Sequence, residues 1–66
     1  MLNNKYIKAK RVIKRFRGKT IHANILRREI MKFLGGDERT INGYLMVMRD
    51  AGLIREIEHM RVLVNW

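Results

Sequence analysis

Arg39, Asn42, Gly43 and Met46 stand three, four and seven residues apart, so a helix through them carries all four on one side. On such a face a guanidinium can fork onto guanine O6 and N7 or grip a phosphate. A carboxamide fits N6 and N7 of adenine, and a thioether can lie against a thymine methyl. Gly43 costs roughly 1 kcal/mol in a helix interior relative to alanine. Either close approach of the backbone to a DNA wall or tight packing against a neighbouring helix would account for it. Thr40 can donate its hydroxyl to a phosphate or act as a capping partner. DNA contact by this face competes with the plainer reading of a solvated surface.

Other side chains suit phosphate rather than bases. Lys19, Arg28 and Lys32 are candidates from the first half of the chain, and Arg55, His59 and Arg61 from the second, where the backbone or minor groove is in reach. Each alone also reads as an ordinary surface charge, with Arg61 a possible cross-strand partner of Glu56. Catalytic chemistry finds little to work with. His22 and His59 are the only histidines, neither at metal-ligand spacing. Glu56 and Glu58 share a strand face but read as solvated charges. Gly35-Gly36 lacks the Gly-Lys-Ser/Thr of a phosphate-cradling loop. No catalytic residue, metal or cofactor is expected, and the chain is not read as an enzyme.

Charge placement strengthens the polyanion reading. The 66 residues carry a net charge of +9 and no cysteine. Residues 1–19 hold eight basic side chains (Lys5, Lys8, Lys10, Arg11, Lys14, Arg15, Arg17, Lys19) and no acid, whereas residues 20–66 hold seven basic and six acidic groups. A field so one-sided points to nucleic acid, with an anionic membrane surface as the minor alternative. At this length one domain is expected, burying roughly 60% of its unfolded surface, without disulfide or thiolate support. No apolar run approaches the ~20 residues of a membrane span, and the basic N-terminus lacks a signal peptide's apolar stretch. A soluble cytoplasmic protein, associated with the nucleoid and without a membrane partner, is the expectation.

The elements that must position these side chains follow from periodicity. Tyr6, Ala9, Val12, Ile13 and Phe16 form an apolar stripe that predicts a first helix at about 4–17, capped by Asn3 or Asn4 and ended by Gly18. Ile7 lies outside the stripe, exposed or touching a partner. Lys19–Ala23 suits a short strand. A second helix at about 24–34 presents Leu26, Ile30, Phe33 and Leu34 on one face, with Asn24 the better cap and His22 the alternative. Gly35-Gly36 breaks it. Asp37 caps a third helix at about 38–51, whose Ile41, Tyr44, Leu45, Met48 and Ala51 point inward. Gly52 closes it, and strands near 53–57 and 61–65 make a hairpin through Glu58-His59-Met60, with Trp66 able to close over the core. The fold class is α+β, mostly helical: three helices plus a short C-terminal hairpin in one domain, 1–66.

The stretch from Glu29 to Ile54 reads as helix, glycine turn, capped helix and Gly-Leu-Ile exit, the pattern of a helix-turn-helix followed by a hairpin. Through Ile30, Met31, Leu34, Gly35, Asp37, Thr40, Ile41, Leu45, Met48 and Gly52-Leu53-Ile54 the chain resembles winged helix-turn-helix DNA-binding domains, similar to small regulators of archaea and their viruses or plasmids. The resemblance covers residues 20–66 and the first helix by position only. It differs from many members in its very short wing (53–66) and basic first helix. It implies that 38–51 is a recognition helix in the major groove of double-stranded DNA, in a transcription regulator that gains specificity as a homodimer. Ile7, Trp66 or the first helix can supply the dimer surface. The alternatives are a protein-binding winged helix and a non-specific nucleic-acid-coating protein driven by the first helix.

Overall fold

The computed structural model describes residues 4–66. In chain order these form helix α1 (Asn4–Ile13), a 3-10 turn (Lys14–Phe16), strand β1 (Thr20–His22), helices α2 (Ala23–Phe33) and α3 (Glu38–Asp50), and strands β2 (Ile54–Ile57) and β3 (Arg61–Val64). The layout is α+β: three α-helices against one antiparallel sheet. Asn3 lies outside the described residues, and Asn4 is already helical. Among the described residues no helix is long and apolar enough to cross a membrane.

The first helix is shorter than the 4–17 predicted, and strand pairing explains why. Past Ile13 the backbone tightens into the 3-10 turn. The Gly18 amide then donates to the Val64 carbonyl at 2.8 Å, and the Val64 amide to the Lys19 carbonyl at 2.9 Å. Those bonds take the chain into the sheet before α1 can complete its last turn. Phe16 still packs against the core from the 3-10 turn, as its place in the stripe predicts.

The same pairing moves the start of α2. His22 ends β1 in an extended conformation (φ −70°, ψ 143°), and its Nδ1 accepts from the Asn24 amide at 3.0 Å. The cap is therefore His22, not Asn24, because a cap needs extended backbone and Asn24 is inside the helix. A second orphan amide, that of Ala23, donates to the Met60 carbonyl at 2.7 Å. The β2–β3 turn is thus fastened to the start of α2. His59 and Met60 hold φ of 62° and 61° there, left-handed backbone that non-glycine residues rarely adopt.

α3 has chemistry at both ends. Asp37 (φ −83°, ψ 152°) caps it, its Oδ2 accepting from the Thr40 amide at 3.4 Å. At the far end the Gly52 amide donates to the Arg49 carbonyl (3.1 Å) and the Leu53 amide to the Met48 carbonyl (2.8 Å). This is a Schellman closure, with Gly52 at φ +74° and buried Leu53 and Met48 giving its apolar contact.

The short strand expected at Lys19–Ala23 is β1, and it joins the hairpin in a single sheet of order β1-β3-β2. β3 is central, with Ile21 opposite Val62 on one side and Glu56 opposite Val62 on the other. The expected Arg61–Glu56 pair is therefore replaced: Arg61 faces Ile57, and Glu56 ion-pairs with Arg49 of α3. Glu58 belongs to the turn and shares no strand face with Glu56.

Ala9, Val12 and Ile13 of α1, Leu26 and Ile30 of α2, and Ile41, Tyr44 and Met48 of α3 meet Leu53, Ile54, Val62 and Val64 in a single core. Two residues assigned inward stand outside it. Phe33 is 59% exposed at the last residue of α2, while Leu34, the residue that caps the helix, packs against the core. Ala51 is exposed at the end of α3. Glu29, only 6% exposed, is buried instead, with Arg15 as its ion-pair partner. Removing either partner of such a pair leaves a charge or polar group without compensation.

Gly52→Ala puts a β-carbon on left-handed backbone and should cost about 1–2 kcal/mol. In a domain this small, that lowers Tm by roughly 4–8 °C for each kcal/mol. Thermal circular dichroism reads the shift, and an unchanged midpoint would contradict the role given to this glycine.

Candidate nucleic-acid interface

The side of α3 opposite Ile41, Tyr44 and Met48 is open. Arg39 and Asn42 are exposed there, and Met46 is 59% exposed. Asp50 continues the face at the carboxyl end, so the end of α3 nearer Asp37 carries the cation and the far end an anion. Gly43 is half-buried at the edge of the face. A β-carbon built there would meet only Lys5 Nζ, at 3.2 Å, the end of a side chain that reaches over from α1. That side chain places an ammonium beside the Arg39–Asn42–Met46 face. Lys5 Nζ lies 5.7 Å from the Tyr44 ring centre. Sequence periodicity held no signal for this neighbour, because the contact joins two helices almost forty residues apart.

Thr40 is half-buried and committed to the cap. Hydrogen bonding from Thr40, its hydroxyl first and its amide in addition, holds the Asp37 carboxyl below the usual carboxylate range. Arg27, absent from the predicted set, reaches Glu38 Oε1 at 3.7 Å and braces α2 against the first turn of α3. The Arg49–Glu56 pair does the same between the last turn and β2. The start and end of α3 are therefore both held by charges that do not point outward from its exposed face.

The phosphate candidates are not gathered in one place. Arg28 and Lys32 are exposed on α2, one turn apart, with Lys32 Nζ 5.3 Å from the Phe33 ring centre. Lys19 is exposed between the 3-10 turn and β1. Ile54, Val62 and Val64 face the core, and Glu56, on the Ile54 side, reaches α3. By strand alternation Arg55 and Arg61 stand on the outer side of the sheet, away from α3. His59 is exposed in the turn, its Nε2 3.9 Å from Glu58.

Part of the basic first helix is engaged internally. Lys10 Nζ and the Arg17 guanidinium each lie 4.5 Å from the Trp66 ring centre, and Arg17 Nε donates to the Trp66 carbonyl at 3.0 Å. Trp66 packs against the core beneath these cations, and Ile7 is half-buried. Among the described residues no three His, Cys, Asp or Glu side chains converge as a metal site.

Asp37 supplies a pH test. Its lowered pKa means the stabilisation is present above the ordinary carboxylate value, about 3.9, and fades as pH falls through the lower folded value. Asp37→Ala should melt below the parent protein at pH 6, with the gap closing as the pH falls below about 4. Melts by circular dichroism across that range check it, and a gap constant with pH would overturn it. Comparison with protein-family models, curated proteins and solved structures gives no match for this chain.

Proposed function

We propose that this chain is a winged helix-turn-helix domain that binds double-stranded DNA through α3 and acts as a transcription regulator. The observation that carries the reading is the two-sidedness of α3. Ile41, Tyr44 and Met48 are buried, while Arg39, Asn42 and Met46 stand together in solvent on a helix fixed at both ends. A helix so presented has the width of the major groove and side chains able to distinguish base edges there. Arg39 takes guanine or a phosphate, Asn42 adenine, and Met46 a thymine methyl. Lys5, with Arg28 and Lys32 on α2, supplies phosphate contacts that set register and affinity rather than sequence.

In this reading β2 and β3 are the wing. Met60 is hydrogen-bonded to the start of α2, so the wing braces the body and is too short to reach far into a minor groove. Arg55 and Arg61, on the outer face of the sheet, then serve a flanking phosphate run or none. So few base contacts favour a homodimer on a two-fold symmetric site.

A second reading has its own observation: the eight cations of residues 1–19 suit sequence-independent coating. One experiment separates the two. Fluorescence anisotropy compares a duplex selected from a random pool with random duplex, over a salt series. Under the first reading Arg39→Ala and Asn42→Ala each reduce discrimination by about 1–3 kcal/mol, while affinity for random duplex changes little. Arg28→Ala weakens both duplexes alike and lowers the salt slope by about 1. If Arg39→Ala and Asn42→Ala leave discrimination intact, or no duplex can be selected over random, the first reading fails.

A further inference from the structure

We infer that the seam between α1 and α2 is a docking groove for an acidic, amphipathic helix of a partner protein. The groove encloses about 820 Å³ and is lined by Lys8 and Arg11 of α1 and by Lys14 and Arg15 of the 3-10 turn that follows it. Its floor and far wall are apolar: Val12, Leu34, the Tyr44 ring and the exposed Phe33 ring. Arg15 is tied to Glu29, which closes one part of the groove. Lys8, Arg11 and Lys14 are exposed and pair with no carboxylate among the described residues. Three cations thus border an apolar trough, and their spacing names the shape of what fits.

Lys8 and Arg11 are about one helical turn apart on α1, roughly 5 Å along the axis, and Lys14 follows three residues later in the 3-10 turn, on the same groove. A second helix laid along this segment can bring acidic residues from successive turns, at i, i+3 and i+7, to the three cations that border the groove. The apolar residues on its adjoining stripe would then enter over Val12 and Leu34 and cover Phe33. A single small carboxylate answers only one of these cations.

Other occupants fit less well. A second copy of this chain carries +9 and has only six acidic side chains. Glu29, Glu38 and Glu56 are in ion pairs with arginine, and Asp37 is a cap, so no acidic row is left to offer. A duplex is convex and its backbone cannot reach a recessed apolar floor. Single-stranded nucleic acid needs several open ring faces for stacking, and here Tyr44 is buried, so the groove offers only the Phe33 ring.

The groove is also separate from the outer face of α3. Tyr44 and Met46 are two residues apart on one helix, which points them to nearly opposite sides. The inference therefore stands apart from the DNA reading, and both surfaces can be occupied together.

The test uses the full chain, isotope-labelled for amide spectra, and a fluorescent synthetic helical peptide of about four turns. The peptide carries a Leu/Phe stripe flanked by glutamates. A scrambled peptide of identical composition and an oligo-dT of equal charge are the comparators. Expected are shifts confined to the outer side of α1, the end of α2 and Tyr44, with the scrambled peptide about tenfold weaker. Arg11→Glu and Phe33→Ser, both at exposed positions, should each weaken the peptide about tenfold with the rest of the spectrum unchanged. Equal binding of the scrambled peptide would overturn the proposal, as would shifts centred on Arg39, Asn42 and Met46. So would undiminished affinity in Phe33→Ser. Oligo-dT producing the same shift map and displacing the peptide would assign the groove to nucleic acid instead.

Discussion

The rotation of α3 about its own axis is the setting on which the remaining structure depends, and burial fixes it. Ile41, Tyr44 and Met48 are all in the core, and each such side chain is worth about 1.5–3 kcal/mol when removed from water. Together that gross gain is at least as large as the ~3–5 kcal/mol of net stability that a single core of this size leaves after entropy. Turning the helix by even one residue position would forfeit that burial, and no polar contact on the outer face returns as much. The exposure of Arg39, Asn42 and Met46 follows from what lies behind them. The Asp37 cap, the Gly52 closure and the Arg27 and Arg49 ion pairs then limit sliding along the axis.

Features governed by local chemistry were legible in the sequence. Asp37 and Gly52 bound α3 because a cap carboxylate and a left-handed residue act within one turn of their own position. The outward trio followed from the helical period. What was not legible depends on partners distant in the chain. His22 displaces Asn24 as the α2 cap because β1 pairs with β3, and α1 loses its last turn to the same pairing. Phe33 looked inward by period, but at the end of α2 it is Leu34 that packs against the core. Glu29 is an acid on a helix until Arg15 is seen to reach it.

The candidate site shows the same division. Its core was readable along one helix, whereas Lys5 beside Gly43 and Arg27 on Glu38 belong to helix crossings. The outer strand face that carries Arg55 and Arg61 away from α3 depended on a register that no turn signal specified. The positive charge also proves to be apportioned rather than diffuse. Lys10 and Arg17 stack on Trp66, Arg15 neutralises Glu29, and Lys5 lies against Tyr44. Lys8, Arg11 and Lys14 remain along one seam. A net charge of +9 therefore describes several local tasks, some of them structural.

The strand order β1-β3-β2 has a bearing on how the molecule is made. The middle strand is the last of the three to leave a ribosome, so β1 and β2 wait without a hydrogen-bonding neighbour until residues 61–64 emerge. The start of α2 waits as well, since its Ala23 amide is satisfied by Met60. The β1–β3 pairing joins segments about forty positions apart, which raises contact order and slows folding relative to a plain helical bundle.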